Sequence, residues 1–84
     1  MMGVEIYTTP ICGYCARAKA FLDRKGVAYT EINVMLSPDK RAEMQKRAHG
    51  AHTVPQIFVG DIHVGGCDDL IALESSGALS AMLA

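Results

Sequence analysis

The sequence lacks a charge imbalance and a long apolar run, and its first ten residues do not resemble a targeting segment; each of these features narrows the functions that we expect. Eight basic residues against nine acidic ones give a net charge of −1, so no basic surface is expected for a nucleic acid or a membrane. No apolar stretch approaches the ~18 residues of a membrane span. The opening MMGVEIYTTP has no basic segment followed by an apolar core, unlike a signal peptide. We therefore expect neither a nucleic acid nor a membrane as partner.

Cysteine is also scarce, with Cys12, Cys15 and Cys67 as the only three. Small secreted proteins held together by disulfides usually carry a larger, even set. Half of the 84 residues are apolar, so the chain is able to form a core without disulfides. These features favour a reducing compartment, in which a close cysteine pair is more often catalytic or metal-binding than structural. We expect one globular domain over residues 1–84, located in the cytoplasm.

Strand-like and helix-like segments alternate along the chain, which predicts an α/β fold. Strands are expected at residues 4–8, 28–34, 55–59 and 62–64, and Gly65 should end the last one. Helices are expected at GYCARAKAFLDRKG, PDKRAEMQKRA and CDDLIALESSG, with ALSAMLA as a final short helix. Gly26 is predicted to cap the first helix, and Ser37 is predicted to cap the second ahead of Pro38. The order is β-α-β-α-β-β-α, in which the first three elements form a parallel unit and the last two strands a hairpin.

The stretch YTTPICGYCARAKAF places Cys12 and Cys15 at the start of the predicted first helix. Residues three apart share a helix face, so the two thiols should meet across one turn. Free backbone N–H groups and the positive end of the helix dipole favour the thiolate of the first cysteine. Cys15 lies one turn further in and should be more buried. The pattern therefore predicts a redox dithiol, in which Cys12 attacks a disulfide and Cys15 resolves the mixed disulfide.

Two other interpretations of the cysteine pair are less favoured. A structural zinc site usually has four ligands, and after the pair only Cys67 and three lone histidines remain. A structural disulfide across three residues would close a very small loop and contribute little stability. We therefore predict no metal site. We interpret His49, His52 and His63 as solvated surface residues.

Three motifs together resemble the glutaredoxin family: CGYC at residues 12–15, HTVPQIF at residues 52–58 and GGCDDL at residues 65–70. The similarity extends from Val4 to about Leu73 and is greatest to small bacterial dithiol glutaredoxins. Thioredoxin itself is less similar, because its motif carries a tryptophan before the first cysteine and this chain has no tryptophan.

The resemblance implies a thioredoxin-like α/β fold with a four-stranded mixed sheet. It implies reduction of protein disulfides and of protein–glutathione mixed disulfides, with glutathione as co-substrate and electron source. Cys12 would be the nucleophile and Cys15 the resolving thiol. The implied protein partners are disulfide-containing or glutathionylated proteins, with ribonucleotide reductase among those that the family serves, and the implied state is a monomer.

The resemblance also implies a set of glutathione-binding residues: Tyr14, Arg41, Thr53, Val54, Pro55, Gly66, Cys67 and Asp68. Tyr14 would flank the ligand. The backbone of Val54, ahead of a cis Pro55, would pair with the ligand as an added strand does. The helix start at Gly66, Cys67 and Asp68 would hold its γ-glutamyl end.

The residues alone leave simpler readings open for several of these positions. Pro55 could open a strand, and Asp68 could be only a helix cap. Tyr14 could be a surface aromatic, and Cys67 could be an inert, small apolar residue.

Two positions depart from the family pattern. The family commonly carries a lysine shortly before the first cysteine, and TTPIC has none. Arg41 or Gln45 is expected to replace that contact with the glycine carboxylate of glutathione. Gly13 stands where the commonest motif has proline, and some glutaredoxins with a small residue there hold a [2Fe–2S] cluster between two subunits. Cys12 of each subunit and two glutathiones would be its ligands, which makes cluster binding the alternative function.

Overall fold

The computed structural model describes residues 3–83. Its strands are β1 (Val4–Thr8), β2 (Tyr29–Asn33), β3 (Gln56–Val59) and β4 (Ile62–Gly65). Its helices are α1 (Gly13–Arg24), α2 (Pro38–Arg47), α3 (Cys67–Ser75) and α4 (Ala78–Leu83). The predicted order is confirmed, although Ala84, the last residue of the predicted ALSAMLA helix, lies outside the described residues.

The four strands form one mixed sheet in the order β2-β1-β3-β4. Strand β1 pairs with β2 in parallel and with β3 antiparallel, and β3 and β4 form the predicted hairpin. Because β1 and β2 run in parallel, the segments that follow them emerge at the same edge of the sheet. The first of these segments carries Cys12.

The face of the sheet that is covered by α1, α3 and α4 is apolar. We call its buried residues the first cluster: Val4, Ile6, Ala18, Leu22, Ile57, Val59, Cys67, Leu70 and Leu79. Helices α1 and α3 both contribute residues to this cluster. The start of each helix is thereby fixed relative to the sheet and to the other helix.

The opposite face is covered by α2 and has a smaller core. We call its buried residues the second cluster: Tyr7, Val34, Met44, Ala48 and Phe58. Ala51 and Val54, from the segment between α2 and β3, pack against this second cluster. The segment that leads to Pro55 therefore rests on a different core from the one that anchors the cysteine helix.

The predicted start of α2 is confirmed in position, and the predicted end of β4 is off by one residue. Ser37 occupies the N-cap position of α2, but its side chain makes no capping hydrogen bond; Pro38 already removes one of the free N–H groups at that end. Gly65 is the last residue of β4 rather than the first residue after it, and its φ is +114°. The prediction for Gly26 is confirmed, since it follows the C-cap of α1 with φ +70, a conformation that glycine adopts without steric cost.

Candidate active site

Cys12 is the N-cap residue of α1, with extended backbone at φ −151 and ψ 108. Its Sγ accepts a hydrogen bond from the Cys15 backbone N–H at 3.1 Å, and it lies 3.8 Å from the Val54 carbonyl oxygen. A thiolate can accept the first contact, whereas only a thiol can donate in the second. The half-buried sulfur therefore has a hydrogen-bonding partner in either protonation state.

Cys15 is on the buried side of the same helix and is 1 % exposed. Burial, together with the hydrogen bond to Cys12, raises the pKa of Cys15 to about 12. At neutral pH this side chain is a thiol. The predicted asymmetry is confirmed for burial: Cys12 is half-buried, Cys15 is buried, and all three cysteines are unpaired.

A shallow cavity of about 350 Å³ opens beside these thiols. Its lining residues are Tyr14, Thr53, Val54, Pro55, Gly66, Cys67, Asp68 and Asp69. Seven of these eight were predicted as glutathione-binding residues, and Asp69 is the addition. The volume is at the lower end of the range of about 300–1,000 Å³ for small-molecule sites.

The segment before β3 forms one wall of this cavity. The peptide bond between Val54 and Pro55 is cis, as expected, and β3 begins after Pro55 rather than at it. Pro55 is buried, whereas Thr53 is exposed at the rim. The Pro55 carbonyl lies near the start of α3, because a Cβ added to Gly66 would be 3.6 Å from that oxygen. This segment and the α3 start therefore meet across the cavity.

The start of α3 is shaped by Asp69 rather than by Asp68. The Asp69 carboxylate accepts a hydrogen bond from the Gly66 N–H at 3.0 Å. A side chain at Gly65 would collide with the same carboxylate, so position 65 needs glycine on steric grounds as well as for its φ. The capping role that the sequence left open for Asp68 thus belongs to Asp69, and Asp68 is exposed at the cavity.

The other predicted residues occupy different places. Tyr14 is 59 % exposed and lines the cavity. Arg41 is not among the lining residues; its Nη1 donates to the His52 carbonyl at 3.4 Å, next to Thr53, and its contact with glutathione stays a prediction. Cys67 is 3 % exposed within the first cluster, and burial raises the pKa of its thiol. That environment makes Cys67 a poor nucleophile.

The prediction that His63 is a solvated surface residue is wrong. Its ring stacks on Phe58 with 5.0 Å between centroids, and its Nε2 lies 2.6 Å from Gln56 Oε1. His49 and His52 are exposed, as predicted. The local sequence around His63 gave no signal for this arrangement, because it depends on the pairing of β3 with β4.

Residues 3–83 contain no group of three or more His, Cys, Asp or Glu side chains arranged to hold a metal ion. Over the same residues, no helix is long and apolar enough to cross a membrane.

Comparison with known proteins shows which family this chain and its cavity resemble. The family model described as Glutaredoxin matches residues 4–64. A glutaredoxin of Pseudomonas aeruginosa is 55 % identical over 83 residues, covering 99 % of this chain and 98 % of that protein. The solution structure of glutaredoxin from Brucella melitensis superposes with TM-score 0.84 at 58 % identity, covering 99 % of this chain and 89 % of that one.

A plant structure adds a ligand to the comparison. The crystal structure of a buckwheat glutaredoxin–glutathione complex superposes with TM-score 0.85 at 32 % identity, over 98 % of this chain and 76 % of that one. The thioredoxin-like fold expected from the sequence is therefore confirmed.

Proposed function

This chain belongs to the glutaredoxin family and is a glutathione-dependent thiol–disulfide oxidoreductase, and from that premise we propose how its own residues carry the reaction. The observation that supports the proposal best is the position of Cys12. Its sulfur caps a helix, accepts the Cys15 N–H, and lies next to the cavity wall that Val54 forms. Cys15, by contrast, is buried.

With a glutathionylated protein, the Cys12 thiolate attacks the glutathione sulfur of the mixed disulfide. The protein leaves as a thiolate, which takes a proton, and glutathione is now bonded to Cys12 through a new disulfide. The thiolate of a second glutathione attacks that glutathione sulfur and releases Cys12. The products are the reduced protein and oxidised glutathione. Cys15 takes no part in this branch.

With a protein disulfide, Cys12 attacks one sulfur and the other leaves as a thiolate. The Cys15 thiol then loses its proton and attacks the Cys12 sulfur, which frees the protein and closes a Cys12–Cys15 disulfide. The high pKa of the buried Cys15 thiol keeps it protonated until this step. The departing protein thiolate is a base that can accept the proton. Two glutathiones then restore the dithiol.

The cavity beside Cys12 is the proposed glutathione-binding site. The backbone of Val54 would pair with the central cysteinyl part of the ligand, and Thr53, Pro55 and Tyr14 would contact it from the rim. The backbone at Gly66 and Cys67 would hold the γ-glutamyl carboxylate, because a helix start attracts anions. The exposed Asp68 carboxylate would meet the ammonium group. Arg41, near the outer end of the same wall, would pair with the glycine carboxylate.

A glutathione-ligated [2Fe–2S] dimer is the weaker alternative. Such a cluster takes four sulfur ligands, and Cys15 and Cys67 are buried. One chain therefore offers Cys12 alone, and the other three ligands would have to come from a second chain and two glutathiones. The open space at Gly13, where an added Cβ meets nothing within 4 Å, is compatible with either function and favours neither.

The compartment, the assembly state and the protein substrates are also part of the proposal. Three unpaired cysteines suit a reducing compartment such as the cytoplasm. We propose that residues 1–84 work as one domain and as a monomer, on disulfide-containing or glutathionylated proteins. Ribonucleotide reductase is one such substrate to test.

The function is tested by a glutathione-coupled assay of mixed-disulfide reduction on the wild type, Cys12→Ser and Cys15→Ser, with a protein disulfide as the second substrate. We expect Cys12→Ser to lose both reactions. Cys15→Ser should retain mixed-disulfide reduction and lose turnover of the protein disulfide. Equal loss of both reactions in Cys15→Ser would contradict the two-branch mechanism. A visible absorption band from a dimeric, glutathione-dependent preparation would favour the cluster.

The glutathione-binding site is tested separately with Asp68→Asn, which removes the carboxylate charge and keeps the shape of the side chain. We expect KM for a glutathionylated peptide to rise by roughly 2- to 10-fold, as for one exposed or partly exposed charge contact, with little change in kcat. Asp61→Asn, an exposed residue at the β3–β4 turn, is the matched control. An unchanged KM in Asp68→Asn would show that Asp68 is not part of the glutathione-binding site.

A further inference from the structure

Gln56 is a buried polar residue that the mechanism above does not use. It is the first residue of β3 and is 5 % exposed. Its Nε2 donates to the Thr53 carbonyl at 3.0 Å and lies 3.3 Å from the Thr53 hydroxyl. Gln56 thus holds, through its side chain, a residue of the cavity wall three positions earlier.

The orientation of the Gln56 amide follows from its partners. The Thr53 carbonyl can only accept a hydrogen bond, so the amide nitrogen must face it. The amide oxygen then faces His63 Nε2 at 2.6 Å, and this ring nitrogen must be the donor. Burial lowers the pKa of His63, which favours a neutral ring with a single N–H. Stacking on Phe58 fixes the plane of that ring.

The hydrogen bonds from the Gln56 amide to Thr53, which we call the Gln56 clasp, also determine the direction in which the Val54 N–H points. The Thr53–Val54 peptide is planar and trans, so its N–H and C=O point in opposite directions. Because Gln56 holds the Thr53 carbonyl, the Val54 N–H is directed away from the Gln56 side chain. Among the described residues, no hydrogen bond from the Val54 N–H to a protein acceptor is found. It is a free donor in a residue that lines the cavity.

Among the described residues, few other hydrogen bonds hold this part of the wall. Residues 51–55 form neither helix nor strand. Ala51 N–H donates to the Ala48 carbonyl at 3.1 Å, and the half-buried Arg41 side chain reaches the His52 carbonyl at 3.4 Å. Val54 itself packs on the second cluster, but the Thr53 carbonyl is held by the Gln56 amide, so loss of that amide should loosen the orientation of the Thr53–Val54 peptide.

We propose that Gln56 and His63 are positioning residues for the reaction: His63 fixes the Gln56 amide, and Gln56 aims the Val54 N–H at the bound glutathione moiety. The inference rests on the proposed function, since it adds to the same cavity. Neither side chain touches the reacting sulfurs. The pair should therefore affect recognition of the glutathionylated substrate and leave the intrinsic reactivity of Cys12 unaffected.

The test compares wild type, Gln56→Leu, His63→Phe and the double variant. His63→Phe keeps an aromatic ring to stack on Phe58 and removes the donor to Gln56. His49→Asn is the matched control: it removes the imidazole 5.6 Å from the His63 ring, and asparagine tolerates the positive φ of position 49. The measurements are KM and kcat for a glutathionylated peptide, well below the unfolding temperature, and the rate of Cys12 alkylation by iodoacetamide.

We expect KM to rise roughly three- to tenfold in Gln56→Leu, as for the loss of one or two hydrogen bonds, and less in His63→Phe. The double variant should be no worse than Gln56→Leu, because residues that act as a unit are not additive. Alkylation of Cys12 and the kinetics of His49→Asn should match the wild type. A wild-type KM in both single variants, or an effect in His49→Asn equal to that in His63→Phe, would overturn the proposal.

An NMR titration with glutathione provides a readout that a purely stabilising role would not change. The Val54 amide resonance should shift on glutathione binding in the wild type and lose most of that shift in Gln56→Leu. An equal Val54 shift in wild type and Gln56→Leu would overturn the proposal. This readout needs no turnover, so it is independent of the assay on Cys12→Ser and Cys15→Ser, whose failure would count against the proposed function instead.

Discussion

The two walls of the cavity rest on different kinds of core. Helices α1 and α3, which carry Cys12 and the proposed anion site, are anchored in the first cluster of nine buried apolar residues. The wall of residues 51–54 packs on the second cluster of five. At the border of the second cluster lies a polar network that consists of Tyr7, Glu43, Arg47 and Glu5. The catalytic sulfur is thus held by apolar packing, and the recognition wall by a smaller core with hydrogen bonds and charges.

This difference suggests that the first cluster mainly determines the stability of the domain, whereas the second cluster and its polar network also determine substrate recognition. Apolar packing is insensitive to salt and to moderate pH changes, whereas partly exposed ion pairs respond to both. Damage to the first cluster should lower the stability of the whole domain without altering the wall formed by residues 51–54. Damage to the polar network should lower stability less, but should also affect substrate recognition. The following predictions test this comparison, beginning with the largest expected effect.

Leu22→Ala should be the most destabilising of these changes. Leu22 is fully buried in the first cluster, in the part of α1 that is remote from Cys12. Its truncation leaves a cavity and should lower the free energy of unfolding by about 2 to 5 kcal/mol, measured by urea denaturation. Leu36→Ala is the matched control, because Leu36 is 91 % exposed and should lose almost nothing. KM at a temperature where the variant is folded should be unchanged.

Arg47→Met should have the next largest effect. Its guanidinium pairs with Glu5 at 3.0 Å, donates to the Tyr7 hydroxyl at 2.8 Å, and stacks 4.1 Å from the Phe58 ring centroid. Methionine keeps part of the packing and loses the donors, so stability should fall by about 1 to 3 kcal/mol. Because Phe58 also stacks on His63, KM for the glutathionylated peptide should rise. Arg24→Met, at the exposed end of α1, should do neither.

A result with the opposite pattern would contradict the comparison. If Arg47→Met lost stability without any change in KM, the polar network would serve the fold alone. If Leu22→Ala raised KM at full folding, the apolar side would also set the shape of the recognition wall.

Tyr7→Phe should reduce the acid sensitivity of the domain. The Tyr7 hydroxyl donates to Glu43 at 2.6 Å, and this bond holds the pKa of Glu43 below its ordinary value. A depressed carboxyl pKa contributes stability above the unfolded value of roughly 4.3, and the contribution is lost as pH falls through the folded value. Removing the hydroxyl should cost about 1 kcal/mol at pH 7 and less at pH 3.

The measurement is the free energy of unfolding from pH 3 to pH 7. Tyr14→Phe is the control, since Tyr14 is 59 % exposed and its hydroxyl should not affect stability. A difference between Tyr7→Phe and wild type that stays constant over this pH range would exclude Glu43 as its source. Some acid sensitivity should remain in Tyr7→Phe, because hydrogen bonds from Thr8 and Lys19 also lower the pKa of Glu31.

The features that the sequence predicted correctly are those encoded locally. The two cysteines and the helix start between them lie within four positions, so the local sequence was enough to predict how the two thiols are placed relative to the helix. Gly26 and Pro38 mark helix ends through their own backbone limits. The lining residues near Pro55 and Asp68 came from the family resemblance, because their convergence requires the fold.

The features that the sequence missed depend on a register between elements. Asp68 and Asp69 are the same residue type, so the sequence does not distinguish them. Asp69 caps α3 because the helix begins after Gly66, which places Asp69 at the third helical position. His63 reaches Gln56 because the pairing of β3 and β4 places it opposite Phe58, and Gln56 lies two residues before Phe58 on the same face of the strand. A lone histidine in a short strand gives no indication of that contact. Ser37 fits the expected capping residue type, but its side chain is not in a capping contact.

The smallest expected effect tests whether the apolar side uses charge at all. Lys25 pairs with Glu74 at 3.0 Å, joining the end of α1 to α3, with side chains 47 % and 18 % exposed. A pair this open should contribute about 0.2 to 1 kcal/mol and less at high salt. A double-mutant cycle with Lys25→Met and Glu74→Gln, measured by urea denaturation, isolates the coupling energy. A coupling larger than that of Arg47 with Glu5, measured in the same way, would show that charges anchor the catalytic wall too.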